Sequence, residues 1–182
     1  METTAIVPDL YDLTNRLHHL WNQGVERYRG GKTTPGDFFT ESETTELQGI
    51  GLGVMDVFDY VEDFVSSGDP DVGTFLLVSF ERVLFFFEDQ GGEPSSEWIS
   101  EASLPPREET VAGIPWLPRI LVKANAKLRG QLPGEVMYGC GGDRRFLRSC
   151  GIHPAEFLRK VKSSSDEDVV SWVVSRLGNR EK

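Results

Sequence analysis

Apolar residues recur every three or four positions along most of the chain, which is the spacing of one face of an α-helix. Leu13, Leu17 and Trp21 show this spacing before Gly30, so we expect a first helix from about Asp9 to Arg29. The same pattern predicts further helices over about 40–49, 54–66, 70–89 and 117–129, with others that begin at 143, at 154 and after 164. The chain is therefore predicted to be mainly α, with little or no β.

Local signals for helix starts support this pattern. Three residue pairs have the spacing of a side-chain cap or of a cap followed by proline: Thr40 with Glu43, Asp69 with Pro70, and Ser164 with Glu167. A short helix over 95–102 and a short strand over 136–138 are further expectations. We predict an N-terminal acidic helical unit over 1–92, a proline-containing linker over 93–115 and a C-terminal helical unit over 116–182.

The two halves of the chain resemble each other at a nearly fixed offset. The Arg-Gly pair at 29–30 falls on the one at 129–130 at a shift of 100, and the Pro-Gly pair at 35–36 falls on the one at 133–134 at a shift of 98. Many apolar helical positions and the order of the elements match as well. This pattern predicts an internal duplication, with two diverged copies of one multi-helix unit packed pseudo-symmetrically.

Charge is distributed unevenly along the chain, whose formal net charge is −10. Residues 1–110 hold 6 Lys/Arg and 22 Asp/Glu, whereas residues 111–182 hold 13 and 7. A strongly acidic protein rarely binds nucleic acid through its whole surface, so we do not expect nucleic acid as a partner. The basic half either faces an anion or packs near the acidic half, and the charge pattern leaves both possibilities open.

The beginning of the sequence has no basic flank and no long apolar run, so we expect no signal peptide. No apolar segment approaches the roughly 20 residues that a membrane span needs. We therefore expect a soluble, cytoplasmic protein without a membrane partner, and the sequence does not predict its oligomeric state.

The most distinctive segment is 139–145, which reads Gly-Cys-Gly-Gly-Asp-Arg-Arg and which we call the glycine loop. Such a loop can direct backbone N–H groups at an anion where a helix begins, with Asp143 opening the helix and Arg144 adding charge. Gly141 and Gly142 would supply the backbone geometry. The segment lacks the spacing of a phosphate-binding P-loop or a dinucleotide fold. A tight turn into a capped helix is the alternative interpretation.

Arg119, Lys123 and Lys127 are spaced by four, so a helix would place them in one basic stripe. Together with Gly141, Gly142, Asp143 and Arg144 they are the candidate ligand-binding residues. The aligned positions of the first copy lack most of this charge, which assigns any anion site to the second half. A solvated helix face is the alternative, and the pattern does not decide between the two.

Cys140 is a candidate reactive thiol, because a helix start and nearby arginines favour the thiolate form. A small buried thiol is the alternative, and Cys150 is expected to be a packing residue. The chain has two cysteines and three histidines without metal-ligand spacing, so we predict no metal site and no cofactor. The cysteines are expected to be free, as is usual inside cells.

The second half resembles a known family. The resemblance rests on Trp-Leu-Pro-Arg at 116–119, Tyr-Gly-Cys-Gly-Gly-Asp-Arg at 138–144, Gly-Ile at 151–152 and Trp172, and it covers about 114–177. These motifs are similar to those of the bacterial DUF5069 family, in a longer two-copy form. The resemblance implies a small helical domain of unknown function and carries over no catalytic residue.

Three functions from different classes remain open at this point. The first is a non-enzymatic binding module that presents its basic C-terminal half to an anionic small molecule or an acidic partner. The second is an enzyme acting on a phosphorylated or carboxylated metabolite, with Asp143 or Cys140 as the reactive group. The third is a structural or assembly protein that docks through its acidic N-terminal half.

Overall fold

The computed structural model describes residues 7–178. Within that range the chain forms eight α-helices, two short 3₁₀ turns and one two-stranded sheet, so the prediction of a mainly α fold is confirmed. The chain separates into two compact units, Met1–Ser95 and Ser96–Lys182, which we call unit 1 and unit 2. No helix among the described residues is both long and apolar enough to cross a membrane.

Unit 1 contains four helices, and the first of them is the longest. Their bounds are Leu10–Arg29 for α1, Glu41–Gln48 for α2, Val54–Ser67 for α3 and Val72–Glu88 for α4, with a 3₁₀ turn at Pro35–Asp37. Helix α1 packs against α3 and α4. The approach of α1 to α3 is close, because a Cβ at Gly24 would lie 2.9 Å from Cγ2 of Val61. Buried aromatic rings, Trp21 and Phe75 among them, fill the space between these helices.

Helix α2 is fixed to α1 by one acidic residue. The predicted capping box is present, since the Thr40 side chain accepts from the Glu43 backbone N–H and the Glu43 carboxylate accepts from the Thr40 N–H. The same carboxylate forms a two-point ion pair with the Arg27 guanidinium, at 2.6 and 3.0 Å. The hydrogen bond from Arg27 is the main reason why the pKa of Glu43 is lowered to about 2.

Unit 2 begins with a small hairpin and continues with four helices. Strands β1 (Thr110–Val111) and β2 (Ile114–Pro115) are antiparallel, and the helices are Leu117–Arg129 for α5, Gly141–Cys150 for α6, Pro154–Ser163 for α7 and Asp166–Gly178 for α8. Helix α5 packs on α7, while α8 packs on α6 and α7. The buried core between them includes Ile120, Leu147, Phe157 and Val173.

Several local predictions need correction. Asp71, rather than Asp69, caps α4, because its carboxylate accepts from the Thr74 N–H. Ser165, one residue later than predicted, accepts the Asp168 N–H at the start of α8. Residues 136 and 137 are irregular and 138 lies in a turn, so the expected strand is absent there, and most of 95–102 is irregular, with a 3₁₀ turn at Glu101–Ser103.

The stretch expected as a linker is folded along much of its length. It includes the hairpin of β1 and β2, and the Ile99 N–H donates to the carbonyl of Gln131 within unit 2. The two units also share an order of elements, in which a long first helix is followed by a shorter one and then by two more. This shared order supports the duplication, which stays a prediction.

Candidate functional site

A buried ion pair joins the first two helices of unit 2. Lys123 on α5 donates to the carboxylate of Asp143 on α6. Lys123 is 3% exposed and Asp143 is fully buried. A buried carboxylate is stable only when its oxygens are hydrogen-bonded and its charge is paired. Asp143 meets both conditions, because two further donors reach it.

The two other donors come from the segments on either side. The indole Nε1–H of Trp116 donates to Oδ1 of Asp143 at 3.0 Å, and the backbone N–H of Gly139 donates to Oδ2 at 2.9 Å. Asp143 is the third residue of α6, which begins at Gly141 and not at Asp143 as the sequence suggested. The carboxylate therefore connects the start of α5, the body of α5 and the glycine loop at one buried point.

Trp116 has an unusual backbone conformation for its size. It precedes α5 with a φ of 70°, a left-handed conformation that bulky residues rarely adopt. Its ring lies directly against the backbone of Gly142, where an added Cβ would come within 2.5 Å of the indole. Only glycine fits at 142 without displacing the ring. Strain of this kind persists where the surrounding contacts enforce it, and it is often found at functional sites.

Hydrogen bonds to the backbone N–H and to the carbonyl of Gly139 hold the glycine loop in place. Its N–H is bonded to Asp143, and its carbonyl accepts from the Arg144 guanidinium at 2.5 Å. Arg144 is 5% exposed, so the charge predicted to face a ligand instead fixes the loop. Gly139 itself has a φ of 82°, which glycine adopts without strain. The start of α6 is thereby placed by buried, charge-assisted hydrogen bonds.

An open cleft of about 580 Å³ lies beside this buried centre. Its lining combines three apolar residues with two arginines, a cysteine, a glycine and a serine: Arg107, Pro115, Trp116, Cys140, Gly142, Arg145, Phe146 and Ser149. Arg107 and Arg145 are both exposed. Within residues 7–178 neither guanidinium has a hydrogen bond or an ion pair, and the Arg107 guanidinium lies 5.6 Å from the centre of the Trp116 ring.

The first turn of α6 also faces this region. Its N-cap residue, Cys140, supplies no side-chain hydrogen bond to the helix, and the Asp143 carboxylate turns back to Gly139 instead. Gly141 is exposed, and Gly142 lines the cleft. The initial N–H groups of a helix carry a partial positive charge that attracts anions. The cleft thus combines two guanidinium groups, which have no hydrogen-bond or ion-pair partner within residues 7–178, with the start of a helix.

The structure separates the predicted site residues into two groups. Cys140 and Gly142 line the cleft, while Lys123, Asp143 and Arg144 lie behind it as a buried network. The Lys123 Nζ lies 3.5 Å from the Sγ of Cys140 and donates to it. Gly141 begins α6 beside this network.

The rest of the basic stripe lies away from the cleft lining. Arg119 donates to the carbonyl of Pro105 at 2.9 Å, and Lys127 is only 4% exposed. The interpretation of the stripe as a solvated face is therefore wrong for Lys123 and Lys127, because residues of α6 and its preceding loop cover Lys123 and little of Lys127 reaches solvent.

Three residues that line the cleft, Arg107, Arg145 and Trp116, are not among the candidate site residues of the sequence. Arg107 falls in the stretch that the sequence predicts as a linker, and its role depends on the hairpin that follows it. Arg145 belongs to the glycine loop, but its position in the sequence does not show that it lines a cleft. Trp116 was part of the family motif but carried no chemical signal of its own, since its indole partner lies 27 positions away in the chain.

The remaining cysteine and histidine of unit 2 have structural roles. Cys150 is 1% exposed, as expected for a packing residue, and neither cysteine is in a disulfide. His153 caps α7 through its Nδ1, which accepts from the Ala155 N–H. Among residues 7–178 no three His, Cys, Asp or Glu side chains are grouped so as to hold a metal ion.

Unit 2 is thus an α-helical domain with a buried Lys–Asp centre behind a cleft. Residues 104–182 match the model of the DUF5069 family, which is described as a domain of unknown function. The resemblance inferred from the motifs is thereby confirmed over residues 104–182. Comparison with curated proteins gives no match, and comparison with solved structures gives none either.

Proposed function

We propose that unit 2 is a non-enzymatic binding module that holds a small anionic molecule in the cleft at the start of α6. One observation carries the proposal: Arg107 and Arg145 line the same cleft, and neither has a hydrogen-bond or ion-pair partner within residues 7–178. Arginine recognises carboxylate and phosphate through two parallel hydrogen bonds. Two such groups beside the first turn of a helix form a suitable site for an anion.

The buried network gives this cleft a fixed shape. Lys123, Asp143 and Trp116 hold the first turn of α6 in place before any ligand arrives, so little ordering has to accompany binding. Lys123 is neutralised by Asp143 and therefore acts as a positioning residue in this proposal. A small molecule fits the volume of the cleft better than an acidic protein surface does.

The proposal includes a cellular setting. Two free cysteines, one of them at the cleft, suit the reducing interior of a bacterial cell. We therefore infer a cytoplasmic protein whose ligand is a metabolite rather than a nucleic acid. The strongly acidic composition of residues 1–110 opposes binding to a polyanion.

A thermal-shift screen against phosphorylated and carboxylated metabolites tests the proposal. A ligand at about 100 times its dissociation constant stabilises a protein by roughly 2.7 kcal/mol, which raises Tm by several degrees. The test variant is Arg107→Glu/Arg145→Glu. The matched control is Arg159→Glu, which changes the charge of an exposed position on α7. Charge reversal at Lys123 would be uninformative, because it would disturb folding as well as binding.

A shift that the double variant loses and the control retains supports the proposal. A shift that the double variant keeps in full would reject the cleft as the site. The absence of any shift across both ligand classes would reject a small-molecule anion as the partner.

Thiol-dependent catalysis is the second candidate, and one contact favours it. Cys140 lines the cleft and its Sγ receives a hydrogen bond from Lys123, so a thiol belongs to the site where the anion would bind. If this function is correct, iodoacetamide alkylates Cys140 faster than it alkylates glutathione under the same conditions, and phosphate slows the reaction. Alkylation at or below the glutathione rate would exclude it.

A further inference from the structure

The composition of the cleft wall points to a particular class of anion. The two arginines account for only part of the lining, and the rest of the wall is formed largely by Pro115, the Trp116 indole and the Phe146 ring. Trp116 and Phe146 are half-buried, and both line the cleft. An inorganic ion would leave these rings in contact with water.

Arg107 places a positive charge next to the apolar wall of the cleft. Its guanidinium carbon lies over the Trp116 ring, 5.6 Å from the ring centre, which places a cation against part of that wall. A guanidinium group can bond an anion in its own plane and also stack on a flat apolar group. A ligand held by Arg107 would thus have its anionic group next to a flat body that lies along the rings.

We propose that the cleft binds a flat apolar molecule that carries a phosphate or carboxylate directly on it, the flat body lying against Pro115, Trp116 and Phe146 and the anionic group between Arg107 and Arg145. This inference rests on the proposed anion-binding function and narrows its ligand class. Apolar walls with a few placed polar groups are the usual composition of small-molecule sites. The buried Lys123–Asp143 pair keeps the Trp116 ring in position for this contact.

Isothermal titration calorimetry of the full chain with three probes tests the inference. The probes are 1-naphthyl phosphate, inorganic phosphate, which has no ring, and 1-naphthalenemethanol, which has no charge. We expect 1-naphthyl phosphate to bind at least about tenfold more tightly than either of the others, since only this probe uses both the apolar wall and the arginines.

The outcomes separate the two proposals. Equal affinity for 1-naphthyl phosphate and inorganic phosphate would overturn the flat-ligand inference and leave anion binding intact. Equal affinity for 1-naphthyl phosphate and 1-naphthalenemethanol would overturn anion binding and the inference with it. Failure of all three probes to bind at millimolar concentration would overturn both.

A variant adds an internal control. Phe146→Ala removes part of the apolar wall while leaving both arginines in place. We expect it to weaken 1-naphthyl phosphate about tenfold and to leave the affinity for inorganic phosphate unchanged. A misfolded variant would lose both affinities, whereas equal retention of both would contradict the role of the Phe146 ring.

Discussion

Lys123 and Asp143, twenty positions apart in the chain, form a buried ion pair that joins α5 to the start of α6. The pair explains why the most distinctive motifs of unit 2 lie together, since Trp116 and Gly139 donate to the same carboxylate. It is also the feature on which the geometry of the adjacent cleft depends. The stability of unit 2 should therefore depend on both members of this buried pair.

Removing one member of the pair should be strongly destabilising. Lys123→Met leaves the Asp143 carboxylate buried without its cation, and breaking a buried pair in this way costs about 3–5 kcal/mol. The double variant Lys123→Met/Asp143→Asn should recover part of this loss, because no buried charge is left unpaired. Urea unfolding of the wild type, of Lys123→Met, of Asp143→Asn and of the double variant gives the coupling energy between the two residues.

The control for this cycle is Lys160→Met on α7, which removes a half-exposed lysine from the same unit. Its effect should lie within about 0.5 kcal/mol of zero. A Lys123→Met variant as stable as Lys160→Met would mean that the ion pair does not hold α6 in place.

Gly142 and Gly141 are adjacent residues of α6, but replacing each of them with alanine should change the stability of the protein in opposite directions. At Gly142 the new Cβ would lie 2.5 Å from the Trp116 ring, whereas at Gly141 its nearest neighbour is an Arg144 nitrogen at 4.0 Å. We expect Gly142→Ala to lower the free energy of unfolding by about 1–3 kcal/mol through overpacking. Gly141→Ala should be neutral or stabilising by up to about 1 kcal/mol, since alanine favours helix. Equal effects in chemical denaturation would refute the close indole contact.

The pH dependence of thermal stability should show the contribution of the Arg27–Glu43 ion pair in unit 1. The folded-state pKa of Glu43 is lowered to about 2 from an unperturbed 4.5, so its stabilising contribution is present above about pH 4.5 and is lost as pH falls towards 2. Tm measured from neutral pH downwards should therefore differ most between wild type and Glu43→Gln at neutral pH, and the curves should converge near pH 2. Glu46→Gln, on the exposed side of α2, controls for the loss of a charge. A constant difference at every pH would argue against the pair.

The hairpin before Trp116 offers a stabilising substitution. Ala112 and Gly113 have φ values of 51° and 75°, the combination found in a type I′ turn. Asparagine adopts this conformation more readily than alanine, so Ala112→Asn should raise the free energy of unfolding by about 0.5–1 kcal/mol. Gly113→Ala should lower it by a similar amount. Urea denaturation of both variants checks the signs, and a loss of stability in Ala112→Asn would contradict the assigned turn.

The helices could be predicted because their signals are local. Apolar spacing and a closing glycine gave α5 its observed bounds, Leu117–Arg129, and Thr40 with Glu43 gave the start of α2. Signals that depend on one residue were less reliable. Asp71 and Ser165 serve as caps where the sequence predicts Asp69 and Ser164, because the sequence does not show which side chain can turn back to the helix.

The site could be predicted only in part, for a different physical reason. Periodicity places Lys123 and Lys127 on one face of a helix, but it does not show that other segments cover this face. Whether Lys123 is exposed depends on Asp143, which is brought to it by the fold of residues 130–141. The glycines of the glycine loop are visible in the sequence, but the reason for the one at 142 is not, because only the fold brings the Trp116 ring against that position.

A parallel between the units supports the predicted duplication. Glu43 and Asp143 are both the third residue of their helix, both accept a backbone N–H from just before it, and both pair with a cation on the preceding long helix. The offset of 100 aligns the two acids, while the cations, Arg27 and Lys123, come from neighbouring turns of the aligned helices. Each unit thus uses one acid to fix its second helix to its first.

The central claim is that an anion binds at the start of α6 beside Arg107 and Arg145. The most direct test is a ¹H–¹⁵N NMR titration of the full chain with inorganic phosphate, following the backbone N–H groups of Gly141 and Gly142 and the indole N–H of Trp116. We predict saturable shifts of these three signals that are absent in Arg107→Glu/Arg145→Glu and retained in Arg159→Glu. Saturable shifts confined to other parts of the chain, or no saturable shift at all, would contradict the account.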